Sequence, residues 1–314
     1  MPPPPDLSHH VLSNSESCRI FKTEIVPDDL PPTLTPHPSR KRPLAILIVG
    51  QTGAGKTRTT PAILSAMANH HMPAHLIADA YKAYHPAYFS LLASDHPEHA
   101  SPATRPDGRK WLAMASAQAI SRKLDVLLES ACRQPEDFRE LARMFGEAGY
   151  RVEVVIMAVP AALSRLGILH RFHEKLPEAG SGRLPGRLTP VKIHDDSYRG
   201  LMSVAEWLDE VDFVDRVLVV RRGNMVAYSD EKVEGGRLQL KVAEAVNRER
   251  ERPLTAEERE LALKDLEKLE VRDAKLAEEV RGLLQPLLRD EVQGYSELSP
   301  PFDWGSHLER LQQS

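Results

Sequence analysis

The chain has 314 residues, with 45 acidic against 41 basic side chains and a formal net charge of −4. Such a balance provides no overall basic field for nucleic acid or an anionic membrane, so any phosphate chemistry must rely on local basic sites. Hydrophobic residues make up 41% and charged residues 27%, which excludes collagen and membrane-protein compositions. With no signal-peptide pattern and no membrane-length apolar run, we expect a cytoplasmic protein without nucleic-acid or membrane partners.

Prolines are concentrated near the N-terminus, where ten of the 25 lie between Pro2 and Pro43. Proline fixes φ and has no N–H to donate, so residues 1–42 are predicted to form a flexible, extended leader. Ile20 and Phe21 belong to a short apolar stretch that is a candidate for docking.

Residues 43–230 read as one domain of alternating strands and helices. Residues 44–49 are continuously apolar and β-branched between Pro43 and Gly50, which is typical of a strand buried on both faces of a parallel sheet. Further strands are predicted at 75–78, 124–128 and 152–159, helices at 110–122, 138–148 and 203–211, and a hairpin at 216–220 and 225–228. Short connections between these elements favour a parallel sheet with right-handed crossovers.

Residues 231–314 are rich in Glu, Arg and Lys and are predicted to form a helical C-terminal extension. Thr255 and Glu258 have the spacing of a capping box, and apolar residues recur at helical spacing from Leu263 to Leu284. This amphipathic helix has three possible partners: an earlier helix in a hairpin, the core domain, or another protein chain.

The most specific motif matches G-x-x-x-x-G-K-[ST] and lies between the first strand and a predicted helix. Its backbone N–H groups and the helix N-terminus favour a bound phosphate, so we expect an ATP site. Lys56 is expected to reach the β- and γ-phosphates, and the Thr57 hydroxyl to bind Mg²⁺. The fold class is therefore α/β, a P-loop NTPase-type three-layer structure with a parallel sheet flanked by helices. The nucleotide-binding residues are Gly50, Gln51, Thr52, Gly53, Ala54, Gly55, Lys56 and Thr57.

Two acidic residues are placed at the ends of neighbouring strands. Asp79 follows the second strand and Glu129 ends the third. Because ligands of parallel α/β sheets bind outside the carboxyl ends of the strands, both are expected to face the P-loop. Asp79 is suited to accept a proton from a substrate hydroxyl, and Glu129 to hold Mg²⁺ or its waters.

Five segments in order resemble the zeta toxin family of P-loop kinases. They are the P-loop, the D-x-Y-K-x-x-H-P segment at 79–86, the segment at 128–133, the M-A-V-P strand end at 157–160 followed by Arg171, and Arg187-Leu188-Thr189-Pro190 before His194. The resemblance covers residues 42 to about 230.

The resemblance implies a kinase that transfers the γ-phosphoryl group of ATP to a hydroxyl of a nucleotide sugar, with UDP-N-acetylglucosamine as the acceptor of the characterised bacterial toxins. It implies that Asp79 is the catalytic base and that Arg171 and Arg187 act with Lys56 on the phosphates. Glu129 and Arg133 correspond to the family's segment at the end of strand three. It also implies a small antitoxin partner, a role that the leader or the C-terminal helix is an alternative candidate to fill.

Acceptor recognition is where the sequence departs from the family. Tyr81, Lys82 and His85 are candidates for the acceptor pocket, although His85 is also suited to shape its loop. Ala131 replaces a small hydroxyl residue, and the predicted helix at 110–122 has no acidic residue where the family has one. Both departures concern residues expected to recognise the acceptor, and neither concerns the residues expected to bind ATP. Two alternatives remain: a kinase of another nucleotide or sugar, and a catalytically weak nucleotide-binding interaction module.

Overall fold

The computed structural model describes residues 5–38, 40–174, 189–232, 238–239, 241–289 and 299–313. Its described residues form one sheet of seven strands in the order β2-β3-β1-β4-β5-β6-β7. These strands are β1 (Leu44–Val49), β2 (Ala74–Ile77), β3 (Val126–Ser130), β4 (Arg151–Met157), β5 (Arg216–Val220), β6 (Met225–Glu231) and β7 (Ser299–Pro301).

Strands β1 to β5 are parallel and form the centre of the fold, which confirms the predicted α/β class. All six residues of β1 are buried because helices cover both faces of the sheet. Alternate side chains of β1 therefore enter two separate apolar cores, with Leu47 in one and Ile48 in the other. The predicted hairpin is confirmed too, since β6 runs antiparallel to β5.

Twelve α-helices of the described residues connect or cover these strands. They are α1 (Asn14–Ile20), α2 (Val26–Asp29), α3 (Lys56–His70), α4 (Tyr88–Leu92), α5 (Ala100–Ser121), α6 (Pro135–Glu147), α7 (Ala161–Glu174), α8 (Val191–Leu208), α9 (Val242–Glu251), α10 (Ala256–Arg272), α11 (Ala274–Leu284) and α12 (Trp304–Gln313). Among the described residues, no helix is both long and apolar enough to cross a membrane.

The N-terminal segment differs from the predicted flexible leader. Residues 14–29 are continuously helical, and Ile20, Ile25 and Leu30 are fully or almost fully buried in the core. The reason is local: no proline lies between residues 6 and 26, and Ser13 caps α1 by accepting a hydrogen bond from the Glu16 N–H. The segment packs on α5, where the Trp111 indole N–H donates to Ser17 O at 3.0 Å.

Helix α5 begins earlier than predicted. The sequence predicts a helix over 110–122, but the helix already begins at Ala100. Pro102 lies in the first turn, where its missing N–H costs nothing, and burial of Ala103 and Asp107 stabilises the turns around Pro106. The helix therefore does carry an acidic residue, Asp107, although its carboxylate accepts from the Leu12 N–H at 3.1 Å and faces the N-terminal segment.

The C-terminal residues complete the fold rather than extending from it as one helix. The capping box of Thr255 is confirmed, but the predicted helix stops at Asp273, whose side chain caps a second helix. Helices α10 and α11 pack on each other and on α7, so the first two of the three possible partners apply. Strand β7 then adds to the sheet beside β6, and α12 packs on α3.

One buried hydrogen-bonded pair of side chains joins α12 to the sheet. His307 Nε2 lies 2.9 Å from the Glu153 carboxylate on β4, and both side chains are 1% exposed. Burial opposes ionisation of Glu153, but the hydrogen bond and charge of His307, with those of Arg151, hold its pKa below the ordinary value. The contribution of the ionised Glu153 carboxylate to the stability of the folded protein is therefore present at neutral pH. It is lost as the pH falls through the lowered pKa of Glu153.

We expect His307→Ala to lower the free energy of unfolding by about 3 kcal/mol, because it removes one partner from a buried charge. Urea denaturation at pH 7 measures the change, with His70→Ala at the end of α3 as the control for loss of an imidazole. A change no larger than that of the control would contradict the role given to this pair.

Candidate active site

The P-loop folds as its glycines require. Gly53 and Gly55 have φ values of 82° and 106°, in the left-handed region that favours glycine. A Cβ at Gly53 would also lie 2.0 Å from the Ser164 carbonyl oxygen of α7. The P-loop therefore packs directly on α7, and only glycine fits at position 53.

Lys56 and Thr57 form the start of α3, directly after the loop. The Lys56 ammonium donates to Gly50 O at 2.5 Å, so its side chain lies back across the loop that is expected to hold the phosphates. Thr57 occupies the same first turn, where N–H groups without intrahelical partners favour an anion. The predicted strand, loop and helix context of the motif is confirmed.

Hydrogen bonds to three other parts of the chain hold the P-loop in place. Gln51 is fully buried and donates from Nε2 to Val159 O at 2.5 Å. The Thr52 N–H donates to Ser197 Oγ of α8 at 3.2 Å. Arg222, from the β5–β6 turn, donates to Gly53 O at 2.9 Å and to Leu163 O at 2.7 Å, joining the loop to α7.

A glycine in α7 makes room for this contact. A Cβ at Gly167 would lie 2.7 Å from Arg222 Nη2 and 2.8 Å from Gly53 O. We expect Gly167→Ala to displace the P-loop and to lower the free energy of unfolding by about 1–3 kcal/mol, with weaker nucleotide binding. Gly282→Ala is the matched control, because its Cβ would meet nothing within 4 Å in α11 and alanine should stabilise that helix by about 0.5–1 kcal/mol. Thermal unfolding and ATP titration measure the stability and the ATP affinity of both variants. Equal changes in Gly167→Ala and Gly282→Ala would contradict the role given to Gly167.

Asp79 follows β2 and lies at the mouth of a cleft, where 71% of its side chain is exposed. Lys82 Nζ contacts its Oδ1 at 2.5 Å. The surrounding protein opposes ionisation, but the pKa of Asp79 is lowered by the charge and hydrogen bond of Lys82 and by the charges of Lys56 and Arg133. The carboxylate is therefore ionised at neutral pH and able to accept a proton.

Glu129 lies on β3 opposite Ile48 of β1, on the sheet face that α3 covers. Its carboxylate contacts His75 Nε2 at 2.9 Å and is nearly buried. Carboxylate and hydroxyl oxygens are ligands that Mg²⁺ prefers, so Glu129 and Thr57 are a chemically suitable donor pair for it. Magnesium binding by these two residues stays a prediction.

The cleft beside Asp79 has a volume of about 440 Å³ and lies between α5, α6 and the segment that follows β3. Five basic and three acidic side chains line it, and α5 contributes most of the basic ones. Arg109 of α5 forms an ion pair with Asp137 of α6 across the cleft. The charged lining residues are Asp79, Lys82, Arg105, Arg109, Lys110, Arg133, Asp137 and Glu140.

Two residues expected in the acceptor pocket do not line this cleft. Tyr81 is fully buried, and its pKa is raised by burial and by the Asp29 carboxylate of the N-terminal segment. His85 is 2% exposed, with Nε2 at 3.0 Å from His10 O, while Nδ1 accepts from the Ala87 N–H. Both hold the Asp79 loop against the N-terminal segment, so His85 has the loop-shaping role considered as its alternative.

Comparisons with known proteins agree with this geometry. The family model described as "Zeta toxin" matches residues 30–233. The chain belongs to the zeta toxin family. It is 24% identical over 197 residues to toxin PezT of Streptococcus pneumoniae serotype 4, covering 62% of this chain and 74% of the relative. It is 23% identical over 225 residues to toxin zeta of Enterococcus hirae, covering 72% and 75% respectively.

A solved structure shares the zeta toxin fold of this chain. It comes from the PezAT chromosomal toxin–antitoxin system of Streptococcus pneumoniae and superposes with a TM-score of 0.63 at 20% identity, covering 83% of this chain and 98% of the other. Because the family model ends at residue 233, it does not include helices α9 to α12.

Two arginines implied by the zeta toxin resemblance are not placed by the structure. The backbone of Arg171 lies in α7, but its side chain is outside the described part of the chain. Arg187 lies in 175–188, also outside the described residues. The phosphate-binding roles of Arg171 and Arg187 therefore stay predictions.

Sequence reasoning missed Arg222, which contacts the P-loop directly. The only local signal was its position in the Arg221-Arg222-Gly223-Asn224 turn of the predicted hairpin. It also missed Arg105 and Arg109, because the predicted helix began only at residue 110, after both of them.

Proposed function

We propose that this protein is an ATP-dependent kinase that transfers the γ-phosphoryl group to a hydroxyl of a small nucleotide-sugar-type acceptor, with UDP-N-acetylglucosamine as the first candidate. The supporting observation is the placement of Asp79 at the mouth of a cleft, where Lys82 and, to a lesser extent, Lys56 of the P-loop lower the pKa of its carboxyl. A base beside a phosphate-binding lysine is the arrangement that phosphoryl transfer needs.

In this proposal the acceptor hydroxyl oxygen attacks the γ-phosphorus. A new P–O bond forms, the bond to the β–γ bridging oxygen breaks, and ADP leaves with the electron pair. Asp79 takes the hydroxyl proton, and Lys56 stabilises charge on the phosphoryl oxygens, with Arg171 and Arg187 as further candidates. Mg²⁺ held by Thr57 and Glu129 would neutralise phosphate charge when bound.

The charge of the cleft supports a second candidate within the same reaction class. Ala131 lacks the hydroxyl that the family has at this position, and α5 presents Arg105, Arg109 and Lys110 to the cleft. A basic α5 would bind an anionic acceptor more favourably than a helix with an acidic residue at this place would. This lining therefore favours a nucleotide or sugar with more negative charge. The similarity to the toxin of the PezAT toxin–antitoxin system further leads us to propose an antitoxin-type protein partner.

The test incubates the purified protein with ATP, Mg²⁺ and UDP-N-acetylglucosamine and follows the acceptor by mass spectrometry. Gain of one phosphoryl group by the nucleotide sugar supports the first candidate. Unchanged nucleotide sugar, with phosphorylation of another nucleotide or sugar from a panel, supports the second. ATP binding without transfer to any member of the panel would count against both.

A further inference from the structure

Four arginines in the C-terminal half of the chain are 4–6% exposed. Three of them have carboxylate partners: Arg216 pairs with Glu231, Arg221 with Glu249, and Arg252 with both Glu249 and Glu258. Arg250 forms no ion pair with any carboxylate of the described residues. Burying a cation without a counter-charge lowers the stability of the folded protein. A function of Arg250 would explain why it is buried despite that cost.

The surroundings of Arg250 place it directly behind the P-loop. Its guanidinium stacks on the Tyr198 ring at 3.7 Å and donates from Nη1 to Tyr198 O at 3.1 Å. Nη2 donates to Gln51 Oε1 at 3.3 Å. Gln51 is the second residue of the P-loop, and its Nε2 is already engaged with Val159 O. Arg250 therefore fixes the remaining polar atom of the Gln51 amide.

The charge of Arg250 is only weakly balanced by its neighbours. Burial lowers its pKa to about 10, and Tyr198 opposes that shift. Asp195, on the same helix as Tyr198, is already paired with Arg165 at 3.0 Å. At neutral pH the guanidinium remains protonated, so a net positive charge is held in a low-dielectric layer beneath the phosphate-binding loop.

We propose that Arg250 is a positioning residue of the nucleotide site, which holds the P-loop through Gln51 and whose unpaired charge favours nucleotides in proportion to the number of their phosphates. The proposal rests on the proposed function in one respect, that the P-loop binds a nucleoside triphosphate. It gives the C-terminal region, beyond the family match, an indirect part in ATP binding through Gln51.

The test measures Kd for ATP, ADP and AMP in the presence of Mg²⁺ and without acceptor. For Arg250→Met we expect affinity to fall about tenfold for ATP and about threefold for ADP, with AMP changed less than twofold, because the Coulomb term grows with phosphate charge. Arg250→Lys keeps the charge and should retain the wild-type ratio of ATP to AMP affinity. It also keeps the proposal testable if Arg250→Met fails to fold.

Arg252→Met is the matched control, because Arg252 is equally buried in the same region but paired with two carboxylates. We expect it to lower stability without changing the ratio of ATP to AMP affinity. Equal loss for all three nucleotides in Arg250→Met, or a changed ratio in Arg250→Lys, would overturn the proposal. A wild-type protein that binds no ATP would instead overturn nucleotide binding itself.

Discussion

Asp79→Asn should lower kcat for phosphoryl transfer by about 10²–10⁴-fold, because the amide cannot accept the proton of the acceptor hydroxyl. ATP affinity should stay within about threefold of wild type, since Asp79 follows β2 and is not part of the P-loop. Steady-state kinetics and ATP titration measure the two effects separately. The control is Asp137→Asn, which removes another carboxylate of the same cleft.

The pH dependence of the wild-type rate provides a second check on Asp79. Because its pKa is lowered, the carboxylate stays ionised down to the ordinary range of Asp, about 4. The rate should therefore not fall through loss of this base between neutral pH and about pH 5. A base-dependent loss near pH 7 would contradict the environment described for Asp79, and so would an Asp79→Asn enzyme with wild-type kcat.

Lys56→Ala should weaken both ATP binding and transfer of the γ-phosphoryl group. The ammonium lies across the P-loop, and its removal takes away the charge closest to the expected β- and γ-phosphates. We expect kcat to fall by about 10²–10³-fold, together with a loss of ATP affinity of about tenfold or more.

Lys192→Ala is the control for loss of one positive charge, because Lys192 is 80% exposed on α8. The two active-site variants should differ in kind: Lys56→Ala loses nucleotide affinity and rate, whereas Asp79→Asn loses mainly rate. Equal loss of ATP binding in both would refute the separate roles given to Lys56 and Asp79.

The central strands and the P-loop were predictable because their signals are local. The buried runs that became β1 and β4 are bounded by Pro43, Gly50 and Pro160, and the P-loop motif fixes its own strand, loop and helix. Asp79 and Glu129 could be placed at strand ends for the same reason. The zeta toxin resemblance then added roles that the residues alone do not give.

What the sequence did not reveal depends on distant contacts. Docking of the N-terminal segment rests on pairs such as Trp111 with Ser17, which lie 94 residues apart. The early start of α5 was masked by Pro102 and Pro106, which are typical of loops but here lie in a helix stabilised by burial. Nothing near Arg250 in its Glu- and Arg-rich segment indicates that it reaches Gln51, 199 positions away.

The most direct test of the account is the fate of the γ-phosphoryl group. Wild-type protein and Asp79→Asn are incubated with γ-labelled ATP, Mg²⁺ and a small-molecule extract, and the label is then separated into organic phosphates, inorganic phosphate and protein. We predict that wild type moves the label into a small organic acceptor and that Asp79→Asn does so about 10²–10⁴-fold more slowly. Label released as inorganic phosphate alone, or transferred equally fast by Asp79→Asn, would contradict a kinase that uses Asp79 as its base.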